Sequence, residues 1–231
     1  MWSPQTWVGF GRSDKPVERS DYTYARHVAW MRAALLEELV LRDVTFLGQD
    51  WGGLVGLRLV AENTDRFSRI VIANTGLPTG EHAMSEAFLA WQRYSQETPD
   101  FKVGRIVSGG CVTPMAPEVV AAYDAPFPDD RYKAGARLFP TLVPTHPEDP
   151  AAAANRAAWE VLSGWEKPFL TAFSDLDAIH SGRGADLPEA CPRRGWAPAG
   201  DPHRRGDFLQ EDVGPQFAQV VAGFAVNTAR G

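Results

Sequence analysis

At 231 residues the chain lies at the upper end for one domain and is long enough to bury a sizeable core. With 44% apolar and 23% charged residues it is neither a disordered chain, nor a collagen-like repeat, nor a small disulfide scaffold. A formal charge of −6 offers no electrostatic footprint for nucleic acid and points to small neutral or polar ligands. Two cysteines, Cys111 and Cys191, have no metal-ligand spacing around them and suit a reducing compartment, so a cytoplasmic protein is expected. Met1 to Thr6 has neither the basic nor the apolar region of an export signal. The best apolar run, His27 to Val40, is broken by Arg32, Glu37 and Glu38, so no membrane contact is expected.

In chain order, Met1 to Trp7 is a poor strand candidate. From Asp21 the sequence predicts a helix capped by Ser20 or Asp21, with Tyr24, Val28, Met31, Leu35 and Leu39 on one face. Val44 to Leu47 is a short β-type run, followed by Gly48-Gln49-Asp50-Trp51-Gly52-Gly53 and a second helical pattern through Leu54, Leu57, Leu59 and Val60. A further strand, Ile70 to Ala73, ends at Gly76-Leu77-Pro78. Strands alternating with helices predict a parallel α/β sheet covered on both faces. Between residues 78 and 167 the texture becomes Pro-rich, with helical stretches at Pro117 to Tyr123 and Asn155 to Leu162, and reads as an inserted helical cap. A strand at Pro168 to Phe173 and a helix around Phe217 to Phe224 close the chain. The expected division is therefore a core of residues 1–77 and 168–231 split by a cap of residues 78–167.

The chemistry concentrates at residues 48–52. Gly48-Gln49-Asp50-Trp51-Gly52 has the spacing of a strand–turn–helix elbow, in which small residues at both ends allow a strained turn that lifts the central side chain off the sheet. A carboxylate there suits displacement at a saturated carbon, giving an ester on the enzyme that water hydrolyses. Trp51 is either a core aromatic or, through its indole N–H, a donor to a leaving halide.

These residues resemble the haloalkane dehalogenases, a family of the α/β-hydrolase fold. The similarity also runs through Gly9-Phe10-Gly11-Arg12-Ser13-Asp14-Lys15-Pro16, the helix from Asp21, Ala122 to Asp129, Phe173-Ser174-Asp175-Leu176-Asp177 and Phe208-Leu209-Gln210-Glu211-Asp212. The resemblance implies hydrolysis of a haloalkane to an alcohol and a halide by a monomer without cofactor or metal. It assigns Asp50 as nucleophile, Trp51 as halide-binding residue with its backbone N–H in the oxyanion hole, and Asp177, preferred over Asp175, as the acid that orients a base.

The pattern is departed from in several places. The family's His-Gly loop and the strands around it have no counterpart, so amino-terminal strands are expected to be missing and the chain truncated. The family's base is a His directly before Phe-Leu-Gln-Glu-Asp, where this chain has Asp207, a poor proton acceptor at neutral pH. His203 is the nearest substitute. His27 falls in the first helix, His82 and His146 in loops, and His180 just past the acid. Residues 191–207 are dominated by Arg, Gly and Pro and read as translated out of frame between two compensating changes. The family's second halide donor, a cap tryptophan, aligns with Cys111, while Trp91 is another cap tryptophan within reach. Two other functions compete: an epoxide hydrolase using Tyr94 and Tyr123 as acids, and an inactive remnant.

Overall fold

The computed structural model describes residues 6–174 and 206–229. Among the described residues three strands, β1 (Val44–Gln49), β2 (Phe67–Ala73) and β3 (Phe169–Thr171), form a parallel sheet in the order β1-β2-β3. Helix α1 (Tyr24–Arg32) precedes β1, and α2 (Trp51–Glu62) joins β1 to β2. Five helices lie between β2 and β3: α3 (Glu86–Glu97), α4 (Val103–Gly110), α5 (Pro117–Asp124), α6 (Ala134–Leu142) and α7 (Ala152–Ser163). After residue 205 come the short α8 (Leu209–Asp212) and the terminal α9 (Gly214–Asn227).

Period-two alternation along β2 sorts its side chains between the two faces. Ile70 and Ile72 enter the main core with Leu54, Leu57 and Val60 of α2, whereas Ala73 joins Ala172, Leu209 and Phe217 on the side of α8 and α9. Phe88, Phe139, Ala158 and Leu162 of the intervening helices, and Val143 just past α6, belong to the main core too, so this helical segment is packed into the sheet domain. Helix α2 lies close on β1 because position 56 is glycine: a Cβ there would collide with the ring of Phe46.

Two details of the first helix differ from expectation. Its cap is Thr23, whose hydroxyl accepts from Arg26 N at 3.1 Å, while Arg19–Asp21 form a separate 3-10 turn. The α-helix then widens into a π-turn over Ala33–Glu38, which rotates the following side chains off the α-helical register. Leu36 is consequently buried and Leu39 is 51% exposed. The strand expected at Met1 to Trp7 finds no support at Trp7, which packs its ring against the core from irregular chain.

Candidate active site

Strand β1 ends at Gln49 and α2 begins at Trp51, so Asp50 alone makes the turn. Its φ of 46° and ψ of −126° are avoided by residues with a side chain, at a cost of roughly 1–3 kcal/mol. Neighbouring groups hold it there. Asp50 N donates to Asn74 O at 3.0 Å, and Asp50 O accepts from Gly53 N at 2.8 Å, Leu54 N at 3.2 Å and Thr75 Oγ1 at 2.6 Å. The side chain stands exposed at the amino end of α2, where the unpaired N–H groups of the first turn favour negative charge.

Trp51, 8% exposed, is held between two rings. Tyr24 of α1 meets it edge-on at 5.1 Å, and Phe139 of α6 lies at 4.5 Å. Tyr24 is itself fixed by donating to Leu54 O at 2.6 Å, and burial raises its ionisation far above the usual phenol range, so it stays a neutral donor. Among the described residues the Trp51 indole N–H has no acceptor.

Residue 207 is tethered beside the elbow. The Gln49 side-chain amide donates to Asp207 O, as does Asn74 Nδ2 at 3.2 Å. Asn74, 1% exposed and left-handed at φ 38°, also accepts from Ser174 N at 2.8 Å and donates to Ser174 Oγ at 3.0 Å. One buried amide thus joins the ends of β2 and β3 to the start of the segment before α8. That segment is tied to the helices on the other side: Asp207 N donates to Gly110 O at 2.9 Å, and Asp212 Oδ1 accepts from Thr113 N at 2.8 Å.

The other sequence candidates fall elsewhere. Asp175, Asp177, His180, Cys191 and His203 lie outside the described residues. Cys111 donates its thiol to Val107 O at 3.2 Å; burial, then the carboxylates of Asp212, Glu211 and Asp207, push it up to about 11. Trp91 stacks on Tyr94 at 6.0 Å and on Phe101 at 6.1 Å along a surface groove of about 370 Å³. Tyr94 is 40% exposed on that groove, and the Tyr123 hydroxyl is engaged in donating to Glu211. His82 and His146 are exposed. His27 is fully buried among Trp7, Tyr22, Trp30 and Phe139. Sequence reasoning missed Asn74 and Thr75, although a polar pair directly after a buried strand was a visible signal.

Comparison with known proteins agrees with this geometry. Residues 7–106 match the family model described as the alpha/beta hydrolase fold. A haloalkane dehalogenase of Psychrobacter cryohalolentis is 50% identical over 226 residues, covering 96% of this chain and 73% of that protein. Haloalkane dehalogenase 1 of Mycobacterium tuberculosis is 47% identical over 215 residues, covering 92% of this chain and 70% of that protein. Among solved structures, the tetrameric haloalkane dehalogenase DpaA of Paraglaciecola agarilytica NO2 superposes with a TM-score of 0.80 at 29% identity, covering 94% of this chain and 70% of that one. DbeA of Bradyrhizobium elkani USDA94, at a TM-score of 0.75 and 22% identity over 96% of this chain and 80% of that one, supports the fold. A carboxylate elbow followed by a clamped tryptophan, in a chain half identical to such an enzyme along nearly its whole length, places this protein in the haloalkane dehalogenase family.

Proposed function

We propose that the chain acts on haloalkanes, with Asp50 as nucleophile and Trp51 as halide donor. A carboxylate oxygen of Asp50 attacks the carbon bearing the halogen; the carbon–oxygen bond forms as the carbon–halogen bond breaks, and the halide leaves with its electron pair. The indole N–H stabilises the departing charge. In the second half-reaction a base takes a proton from water, the hydroxide attacks the ester carbonyl, and the alcohol leaves while the Asp50 carboxylate is regenerated. The observation that carries this reading is the pairing of the exposed Asp50 carboxylate with a tryptophan fixed between Tyr24 and Phe139. We assign Asp177 to the orienting acid on sequence grounds, keep His203 as the nearest substitute for the missing base, and read residues 78–167 as the cap over the site.

Asp207 occupies the slot that the resemblance gives to the base, and a carboxylate accepts a proton from water poorly at neutral pH. On this reading alkylation proceeds and hydrolysis of the ester stalls. No helix among the described residues is long and apolar enough to cross a membrane; we place the enzyme in the cytoplasm as a monomer that detoxifies halogenated alkanes. Intact-mass spectrometry after incubation with 1,2-dibromoethane tests the reaction. One bromoethyl adduct per chain, mapped to residues 48–53 and abolished by Asp50→Asn, is expected. Turnover without adduct would show that another residue, His203 first among them, serves as base, and neither adduct nor halide would leave an inactive remnant.

A further inference from the structure

We propose that Thr75 is a positioning residue for the nucleophile, holding the Asp50 turn in its reactive conformation through the Asp50 carbonyl. The inference rests on the dehalogenase reading above. The left-handed Asp50 is a local high-energy state, so something outside the turn must over-determine it. Two of the three donors on Asp50 O, Gly53 N and Leu54 N, come from its own helix and would form in many strand-to-helix turns. The third, Thr75 Oγ1 at 2.6 Å, comes from the chain beyond β2 and is the shortest of the three. Thr75 is 1% exposed, so this bond forms away from competing water.

Two further features show that the contact is built in. Position 53 is glycine, and a Cβ there would collide with Thr75 Oγ1, Cγ2 and Cβ, so the first turn of α2 leaves its space to the threonine side chain. The preceding residue, Asn74, is left-handed at φ 38° and accepts from Asp50 N at 3.0 Å, so consecutive residues after β2 grip both the N–H and the C=O of Asp50. Displacement at carbon needs the carboxylate in line with the carbon–halogen bond, and a misplacement of about 1 Å can cost on the order of 10²-fold in rate. Losing the Thr75 hydroxyl releases one side of that grip. The hydroxyl acts on the turn through the Asp50 carbonyl.

The test uses the full chain and 1,2-dibromoethane, with Asp50 alkylation followed by intact mass at several reagent concentrations and urea unfolding measured in parallel. Thr75→Val keeps the shape and removes the hydroxyl; Thr75→Ser restores the donor. Expected is a loss of about tenfold or more in the maximal alkylation rate for Thr75→Val, with half-saturation within about twofold, and a rate for Thr75→Ser within about threefold of the unsubstituted chain. If Thr75→Val does not fold, Thr75→Ala carries the same comparison. Alkylation of the hydroxyl-free variant at the unsubstituted rate, an equal loss in the serine variant, or a loss confined to half-saturation would overturn the proposal while the dehalogenase reading stands. An unsubstituted chain that is not alkylated at Asp50 would overturn both.

Discussion

The side-chain amide of Gln49 donates to the main-chain carbonyl of Asp207, a residue 158 positions further along the chain. Position 207 is thus tied to the residue immediately before Asp50, and Asn74 donates to the same carbonyl from just past the end of β2. On the proposed reading, the backbone that would carry the base is held in place, and residue 207 there is a carboxylate.

Asp207→His therefore has a placed backbone to work from. An imidazole, with an ordinary pKa near 6.5, exists largely as a neutral acceptor at pH 7.5 and can activate water. The variant is expected to release several halides per chain, where the unsubstituted chain releases one at most. Halide counted by ion chromatography against protein concentration checks this, and a count that stays at or below one would show that the slot is not catalytically competent.

Trp51→Phe separates the donor from the ring. Phenylalanine fills much of the space between Tyr24 and Phe139 but has no N–H, so stability changes modestly while the departing halide loses its donor. Alkylation of Asp50 by bromoalkanes is expected to slow by about 10²-fold, in line with removal of one preorganised donor. An alkylation rate equal to that of the unsubstituted chain would leave Trp51 a packing residue only.

The legible parts of this protein were those whose signal is local. The apolar runs of β1 and β2 and the small residues around Asp50 specify strand, turn and helix by themselves, and the elbow lies where its spacing placed it. Leu39 was misplaced because periodicity assumes a constant helical turn, and the π-turn at Ala33–Glu38 breaks that constancy without an obvious sequence mark. The roles of Asn74 and Thr75 were hidden for another reason. Each acts through bonds to residues 24 to 133 positions away, which only the assembled sheet brings within reach.

Asn74→Leu tests how much the junction depends on that amide. The substitution strips partners from Ser174 N and weakens the tether of Asp207 O in a buried place, and each unsatisfied group costs roughly 1–3 kcal/mol. A total loss of about 2–4 kcal/mol is expected. Urea denaturation at pH 7 measures it, and a change below about 0.5 kcal/mol would show that the network is replaced by other contacts.

His27 sets the acid limit of stability. It is completely buried, neither ring nitrogen has a hydrogen-bond partner among the described residues, and it is ringed by Trp7, Tyr22, Trp30 and Phe139, none of which can neutralise an imidazolium. Burial lowers its pKa from 6.5 to about 4. In the unfolded chain the same histidine binds a proton near pH 6.5. Above that pH both states hold it neutral and it imposes no penalty. As the pH falls from 6.5 towards 4 the unfolded state takes up a proton that the folded state refuses, and stability drops by roughly 2–3 kcal/mol before the two states are again protonated alike. His27→Phe keeps an aromatic ring in the cage and removes the titration. Urea midpoints measured from pH 7.5 to 4.5 are expected to fall more steeply for the unsubstituted chain than for the variant, and parallel curves would mean that protonated His27 is accommodated in the fold. Because Phe139 touches both His27 and Trp51, the acid-stressed chain is also expected to lose Trp51 near-ultraviolet ellipticity across the same pH window.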